Sequence, residues 1–127
     1  MQLALRYMIL YVENLERSIT FYRDLLGLPV RAEHGTYVEF ETGSTVLAIN
    51  TRENVAEITG LNIPESINHS QTFELGFVVE DVNTIVEKLR GHEVLIISEP
   101  VTKPWGQIVA YVADPDGHFI EICSALD

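Results

Sequence analysis

The chain has little of what a disulfide-bonded, zinc-binding, nucleic-acid-binding or membrane protein needs. Its 127 residues include one cysteine, Cys123, so neither an internal disulfide nor a Cys-x-x-Cys zinc pair is available. Eight basic residues stand against nineteen acidic ones, and a net charge of −11 repels phosphate groups. No apolar run reaches the ~18 residues of a membrane span, and no signal-peptide pattern is present. We expect a cytoplasmic protein that binds neither nucleic acid nor a membrane.

The composition is that of a folded domain. Hydrophobic residues make up 46% of the chain and charged residues only 21%, which is too apolar for a disordered segment. A chain of this length normally forms one domain and buries roughly two-thirds of its unfolded surface. We therefore treat residues 1–127 as one domain.

The first half is predicted to be a strand, a helix and a hairpin. Residues 5–12 are aliphatic and aromatic, which is typical of a strand. Asn14 is a suitable helix N-cap, and Gly27 ends that helix. Residues 35–41 and 44–49 form the hairpin, and an extra strand is expected near Val30. The apolar stripe of the helix comprises Leu15, Ile19, Tyr22 and Leu26.

The second half repeats this order after a connector. Residues 51–70 lack periodicity and allow one short helical turn. A strand over 72–79 follows, and then a helix from Asp81 to Gly91. Two further strands, at 107–113 and 118–123, are joined by a type I turn.

An internal repeat relates the two halves. Placing Tyr11 to Leu15 over Val78 to Val82, at an offset of 67 residues, matches strand to strand and cap to cap. We infer two β-α-β-β-β modules, one over about 3–52 and the other over about 71–124, with the connector over about 53–70.

Two glutamates interrupt apolar strands on the face that the helices leave open. Strand alternation places Met8, Leu10 and Val12 under the helix, and Tyr7, Ile9 and Tyr11 on the other side. Glu74 and Glu121 fall on the equivalent open face of the second module. They either face water, as acids on antiparallel sheets often do, or line a cavity where they hold a cation or act as acid and base.

Two motifs identify a family. The run Val12 to Gly27 and the closing Asp114-Pro-Asp-Gly-His-Phe-Ile-Glu121 resemble the vicinal oxygen chelate superfamily. It contains glyoxalase I, bleomycin- and fosfomycin-resistance proteins, methylmalonyl-CoA epimerase and extradiol dioxygenases. The resemblance implies an α+β fold, in which paired β-α-β-β-β modules form a cupped mixed sheet with helices outside, in a homodimer.

The resemblance also implies where a metal would bind. In metal-dependent members the ligands lie on the first and last strands of each module. Those positions fall on Tyr7, Glu74 and Glu121, and on Leu47 or a neighbour if the hairpin is altered. Two carboxylates alone hold a divalent ion weakly, so the expected cofactor is none, or a weakly held divalent metal of unknown identity. The four histidines, at 34, 69, 92 and 118, are expected on the surface.

Three functions follow, and the first is slightly favoured at this point. The first is a small-molecule binding protein of the bleomycin-resistance type, with Trp105 either stacking on the ligand or packing a loop. The second is a glyoxalase-like lyase or isomerase, or a dioxygenase, that uses Glu74, Glu121 and Tyr7 in catalysis around a divalent ion. A domain with a vestigial cavity that serves protein association is a third. The cavity is expected to be lined by Tyr7, Ile9, Tyr11, Leu47, Glu74, Trp105, Phe119 and Glu121.

Overall fold

The computed structural model describes residues 3–64 and 73–126. The chain divides into two compact units, Met1–Ser66 and Ile67–Asp127, and each is described by itself. The last part of the predicted connector and the start of the strand predicted at residue 72 lie outside the described residues, as does His69. The predicted module boundaries stay a prediction.

Unit 1 is a four-stranded mixed sheet with two helices. The sheet has the strand order β1-β4-β3-β2, in which β1 and β4 run parallel and the other pairs run antiparallel. The strands are β1 (Tyr7–Val12), β2 (Val30–His34), β3 (Tyr37–Phe40) and β4 (Val46–Thr51). The helices are α1 (Leu15–Ile19), which continues as a π-helical segment over Thr20–Leu25, and α2 (Arg52–Thr59).

The first helix begins where the sequence predicts, but it buries Ser18 and Phe21 besides Ile19 and Tyr22 of the predicted stripe. The Asn14 side chain accepts a hydrogen bond from the backbone N–H of Arg17, which confirms the N-cap. The π-helical turn then lets two consecutive residues, Phe21 and Tyr22, enter the core. The predicted stripe with a regular helical period is therefore only partly correct.

A full helix follows β4, where a single helical turn was expected. Thr51 caps α2 by accepting a hydrogen bond from the backbone N–H of Asn54 at 3.2 Å. Gly60 ends the helix at a φ of 73°, a left-handed conformation that glycine adopts without strain. These two residues delimit a helix inside a segment with no clear hydrophobic period.

Unit 2 has the same sheet topology as unit 1. Its strand order is β5-β8-β7-β6, with β5 and β8 parallel and the other pairs antiparallel. Its elements are β5 (Leu75–Val78), α3 (Val82–Gly91), β6 (Ile96–Thr102), β7 (Ile108–Ala113) and β8 (Phe119–Cys123). No helix within 3–64 or 73–126 is long and apolar enough to cross a membrane.

Each unit packs its helices against one face of its own sheet. Burial alternates along β1 and β3, as the sequence analysis predicts for Leu10 and Val12, whereas residues 46–50 of β4 are all buried. In unit 1 the fully buried side chains with the largest volumes are Tyr22, Phe40, Leu10 and Ile49, and in unit 2 they are Leu89, Ile120 and Ile122. The opposite face of each sheet is consequently the one that carries polar residues.

Candidate functional site

Strand alternation exposes the predicted residues of β1. Tyr7 is 51% exposed and Ile9 is 42% exposed, whereas Leu10 and Val12 are buried. Tyr11 is half-buried. The exposed side of β1 is therefore as predicted, but on the same face the paired β4 residues Val46, Ala48 and Asn50 are buried. The role of Tyr7, Ile9 and Tyr11 in lining a ligand site stays a prediction.

In unit 2 the two predicted glutamates meet around a tyrosine. Glu121 on β8 lies opposite Gly76 on β5 and opposite Tyr111 on β7. The Tyr111 hydroxyl lies 3.2 Å from Glu74 Oε2 and 3.5 Å from Glu121 Oε2. One phenol thus faces both carboxylates, and we call these three residues the Glu74–Tyr111–Glu121 cluster.

Gly76 leaves the space that the Glu121 carboxylate occupies. A Cβ atom built on Gly76 would lie 3.0 Å from Glu121 Oε1, which is tighter than ordinary van der Waals contact. Any side chain at position 76 would push the carboxylate away from its present place. The glycine two residues after Glu74 is therefore part of the geometry of the cluster.

The negative charge of the cluster raises the pKa values of its neighbours. Burial, with the charges of Glu121 and Glu74, raises the pKa of Tyr111 to about 12. Burial, together with Glu121, also raises the pKa of the Cys123 thiol. Among the described residues, no lysine, arginine or histidine forms an ion pair with either glutamate. The phenol thus stays protonated at neutral pH and acts as a hydrogen-bond donor.

In unit 1 the strand pairing shifts one predicted ligand position by one residue, from Leu47 to Ala48. Ala48 on β4 lies opposite Ile9 and Glu39, as Glu121 lies opposite Gly76 and Tyr111. Leu47 instead lies on the other face and is 5% exposed. The shift arises because six residues separate the paired Phe40 and Leu47, whereas seven separate Val112 and Ile120. The equivalent of Glu121 is therefore Ala48 and not Leu47.

Unit 1 carries a different polar network on its open face. Glu39 on β3 accepts a hydrogen bond from the Tyr37 hydroxyl at 2.6 Å and forms an ion pair with Arg31 at 3.0 Å. The hydrogen bond from Tyr37 is the main cause of a lowered pKa of Glu39. Burial and the Glu39 carboxylate raise the pKa of Tyr37. This acid already has a cation and a phenol as partners.

The remaining predicted site residues lie apart from the cluster or beside it. Phe119, on β8, is 38% exposed and shares the face of Glu121 by alternation. Trp105 is exposed in the turn before β7, and its indole N–H donates to Gln107 Oε1. His118 was expected on the surface, but it is buried because its Nδ1 lies 2.8 Å from Asp114 Oδ2.

The donor set of the described residues does not fit a resident divalent metal. Such an ion normally takes three or four protein donors, or six to eight oxygen atoms for calcium. Unit 2 offers two carboxylates, and the equivalent positions of unit 1 are Tyr7 and Ala48, of which neither is a carboxylate or an imidazole. Within 3–64 and 73–126, no three His, Cys, Asp or Glu residues lie close enough together to hold a metal ion.

The sequence analysis missed Tyr111. Alternation along β7 and the register of the β7–β8 hairpin place Tyr111 beside Glu121. The turn over 114–117 was correctly expected between these strands. Pairing the residues on either side of this turn would have indicated that Tyr111 lies near Glu121. The residue was not singled out because a tyrosine in an apolar strand is usually a core residue.

Comparisons with known proteins support a single family. Residues 5–127 match the family model described as a glyoxalase-like domain. The uncharacterized protein YraH of Bacillus subtilis (strain 168) is 35% identical over 121 residues, or 92% of this chain and 94% of that protein. The phenazine antibiotic resistance protein EhpR of Enterobacter agglomerans is 32% identical over 124 residues, or 91% of this chain and 87% of that protein.

A solved structure agrees with these sequence matches. The crystal structure of a protein of unknown function from Agrobacterium tumefaciens (strain C58) superposes with a TM-score of 0.84. That protein is 31% identical, and the match covers 99% of this chain and 97% of the other. The fold and the sequence thus point to the same group of proteins.

Proposed function

The chain belongs to the glyoxalase-like domain family of the vicinal oxygen chelate superfamily, and from this premise we propose that it binds an aromatic small molecule without a resident metal. The observation that carries the proposal is the Glu74–Tyr111–Glu121 cluster. It places two carboxylates and one phenol on a sheet face that also carries the apolar Val78 and Phe119 and, opposite Tyr111, Ser98. A ligand that buries apolar surface there and donates hydrogen bonds to the acids would satisfy both parts of the face.

The surroundings of the cluster favour a flat, apolar ligand. Val78 and Phe119 are exposed on the same face of unit 2 as Glu121. Aromatic and aliphatic side chains with a few polar groups are typical of small-molecule sites. The name of EhpR refers to resistance to a phenazine antibiotic, which is a planar aromatic compound. We extend this ligand class, and not the particular compound, to the present chain.

The alternative is a metal-dependent lyase, isomerase or dioxygenase that uses Glu74 and Glu121. Such an enzyme needs donors beyond the two carboxylates, and the described residues bring together no set of three His, Cys, Asp or Glu residues suited to a metal. Tyr111, whose pKa is raised to about 12, is a poor source of the phenolate that a metal would need. The donor chemistry therefore favours binding over metal-dependent catalysis.

Calorimetric titration with two matched probes tests the proposal. Phenazine-1-carboxamide presents N–H donors to the acids, whereas phenazine-1-carboxylate has the same rings and a repelling charge. We expect the amide to bind at least about tenfold more tightly than the carboxylate, since a tenfold ratio corresponds to ~1.4 kcal/mol. Glu121→Gln should weaken amide binding by about tenfold, because a hydrogen bond to a charged acceptor contributes roughly 1.5–3 kcal/mol.

A charge-matched control separates this effect from the overall charge. Glu57 is exposed on α2 in the other unit, so Glu57→Gln removes the same charge and should leave amide binding unchanged. Absence of binding for both probes would contradict the proposal. So would an unchanged affinity in Glu121→Gln.

We also propose that the chain is cytoplasmic, as its sequence pattern suggests, and that it forms a homodimer, as the family resemblance implies. Among the described residues of unit 1, β1 pairs with β4 only and exposes Tyr7 and Ile9, which a second copy would cover. Light scattering after size exclusion should give twice the mass of one chain. A monomer mass at micromolar concentration would contradict this proposal.

A further inference from the structure

We infer that the Tyr111 hydroxyl stands in the place of a cation between Glu74 and Glu121, and that it closes this sheet face to divalent metals. The inference deepens the proposed function, because it concerns the same site and rests on that function for its meaning. The test of the inference measures metal binding and not ligand binding, so the inference and the proposed function can fail separately.

The position of the phenol oxygen is the first argument. It lies within 3.2–3.5 Å of the nearest oxygens of both carboxylates. An ion that bridged the same oxygens would lie about 2.0–2.6 Å from each of them. The phenol and such an ion would therefore occupy overlapping space. A metal can enter this position only if the Tyr111 side chain moves away.

The chemistry of the phenol is the second argument. A protonated hydroxyl directs its partially positive hydrogen at the acids, as a cation directs its charge. The hydroxyl can donate to one carboxylate at a time, so both oxygen acceptors compete for the same proton. Loss of that proton would add a third negative charge beside Glu74 and Glu121. The tyrosine is thus suited to replace a cation and unsuited to bind one.

The fixed position of Glu121 is the third argument. The carboxylate lies over Gly76, where a Cβ atom would come within 3.0 Å of Oε1. The β7–β8 register holds Tyr111 directly opposite Glu121. Removing the hydroxyl alone should therefore leave the Glu121 carboxylate near its present position over Gly76, with a space on the side of Glu74.

Manganese titration of the full chain tests the inference. Free Mn²⁺ is followed by electron paramagnetic resonance with the wild type and Tyr111→Phe. We expect the wild type to bind with a Kd of about 1 mM or weaker, as low-affinity carboxylate sites do. Tyr111→Phe should bind one equivalent at least about tenfold more tightly, a gain equal to ~1.4 kcal/mol. Adding Glu121→Gln to that variant should abolish the gain.

Two further variants control for folding and for position. Tyr37→Phe removes a phenol that also donates to a carboxylate, but Arg31 still neutralises that acid, so no gain is expected. Adding Gly76→Ala to Tyr111→Phe should reduce the gain, because the new Cβ displaces Glu121. Circular dichroism melting curves establish that each variant is folded.

The outcomes separate the inference from the proposed function. Micromolar Mn²⁺ binding by the wild type that Glu121→Gln removes would overturn the inference. So would a Tyr111→Phe variant that is folded but binds no better than the wild type. If the metal results are as expected while neither phenazine probe binds, the inference stands and the proposed function fails.

Discussion

The two units share one sheet topology but treat their acidic residues differently. In unit 1, Glu39 is neutralised by Arg31 and receives a hydrogen bond from Tyr37. In unit 2, the position equivalent to Glu39 is Tyr111, and this phenol faces two acids with no described cation beside them. The comparison separates an acid with a cation beside it from a pair of acids that share one phenol, and it is this pair that we propose to bind a ligand.

The sequence repeat produces this contrast because it preserves the backbone and not the side chains. The offset of 67 residues aligns Tyr7 with Glu74, and the sheet register aligns Ala48 with Glu121. A duplicated module needs the same alternation and the same helix caps in order to fold. The open face is free of that requirement, and there the two halves differ.

The hairpin turns of the two units offer the largest expected difference in stability. Asp114 Oδ1 accepts hydrogen bonds from the backbone N–H groups of Asp116 at 3.0 Å and of His118 at 2.8 Å. Thr42 has the corresponding place in unit 1, where its exposed hydroxyl bonds to Thr45 O and accepts from the Leu47 N–H. Asp114→Ala should cost about 3 kcal/mol, since each orphaned buried donor costs ~1–3 kcal/mol, and Thr42→Ala about 1 kcal/mol.

Urea denaturation of both variants measures these two losses. A loss of unfolding free energy in Asp114→Ala that clearly exceeds the loss in Thr42→Ala would support the contrast between the two turns. Equal losses would show that the buried acid of the second turn contributes no more than the exposed hydroxyl of the first.

A smaller effect concerns the ionisation of Tyr111. Ultraviolet titration of the wild type, with Tyr111→Phe subtracted, should give a pKa of about 12. Glu121→Gln should lower this pKa toward the ordinary value of ~10 because one negative charge is removed. Part of the shift should remain, since burial is its largest cause. A wild-type pKa near ~10 would mean that neither burial nor the two acids raise the pKa of this phenol.

The loss of stability on removing the helix cap should differ least between the two units at neutral pH and most in acid. Asn14 and Asp81 cap equivalent helices, and each accepts a hydrogen bond from the backbone N–H three residues later. Asn14→Ala should cost about 1 kcal/mol at every pH, because the amide does not titrate. The backbone hydrogen bond from Thr84 lowers the pKa of Asp81 in the folded state.

The lowered pKa of Asp81 determines how its contribution to stability changes with pH. The ionised cap stabilises the fold above the unfolded-state pKa, and this contribution is lost as the pH falls through the folded-state pKa. Asp81→Ala should therefore destabilise the protein less in acid than at neutral pH. Asp81→Asn, which makes the cap match Asn14, should remove the pH dependence. Parallel urea curves for Asp81→Ala and Asn14→Ala across the acid range would contradict this expectation.

The sequence predicts most of the fold because its local signals are strong. Asn14 and Asp81 precede clear helical patterns, and the alternation in β1 predicts which face is open. The strand β6 was missed because Ile96–Thr102 contains Pro100 and has two irregularities of register, which break the period of two. The π-helical turn likewise shifts Phe21 into the core without a sequence signal.

The candidate site was only partly predictable. Glu74 and Glu121 stand out because carboxylates in apolar strands need partners. Tyr111 and Ala48 depend on which residues lie opposite one another across strands, and a single deleted residue in the first hairpin changes that register. Information of this kind belongs to strand pairing and is not contained in any local pattern.

Elemental analysis of the purified, untagged and dialysed chain tests the central claim most directly. Mass spectrometry would quantify nickel, zinc, manganese and iron in the wild type and in Glu121→Ala. The account predicts no stoichiometric metal in either protein, because Glu74 and Glu121 share a phenol instead of an ion. About one equivalent of any of these metals in the wild type, absent from Glu121→Ala, would contradict the account and favour a metalloenzyme.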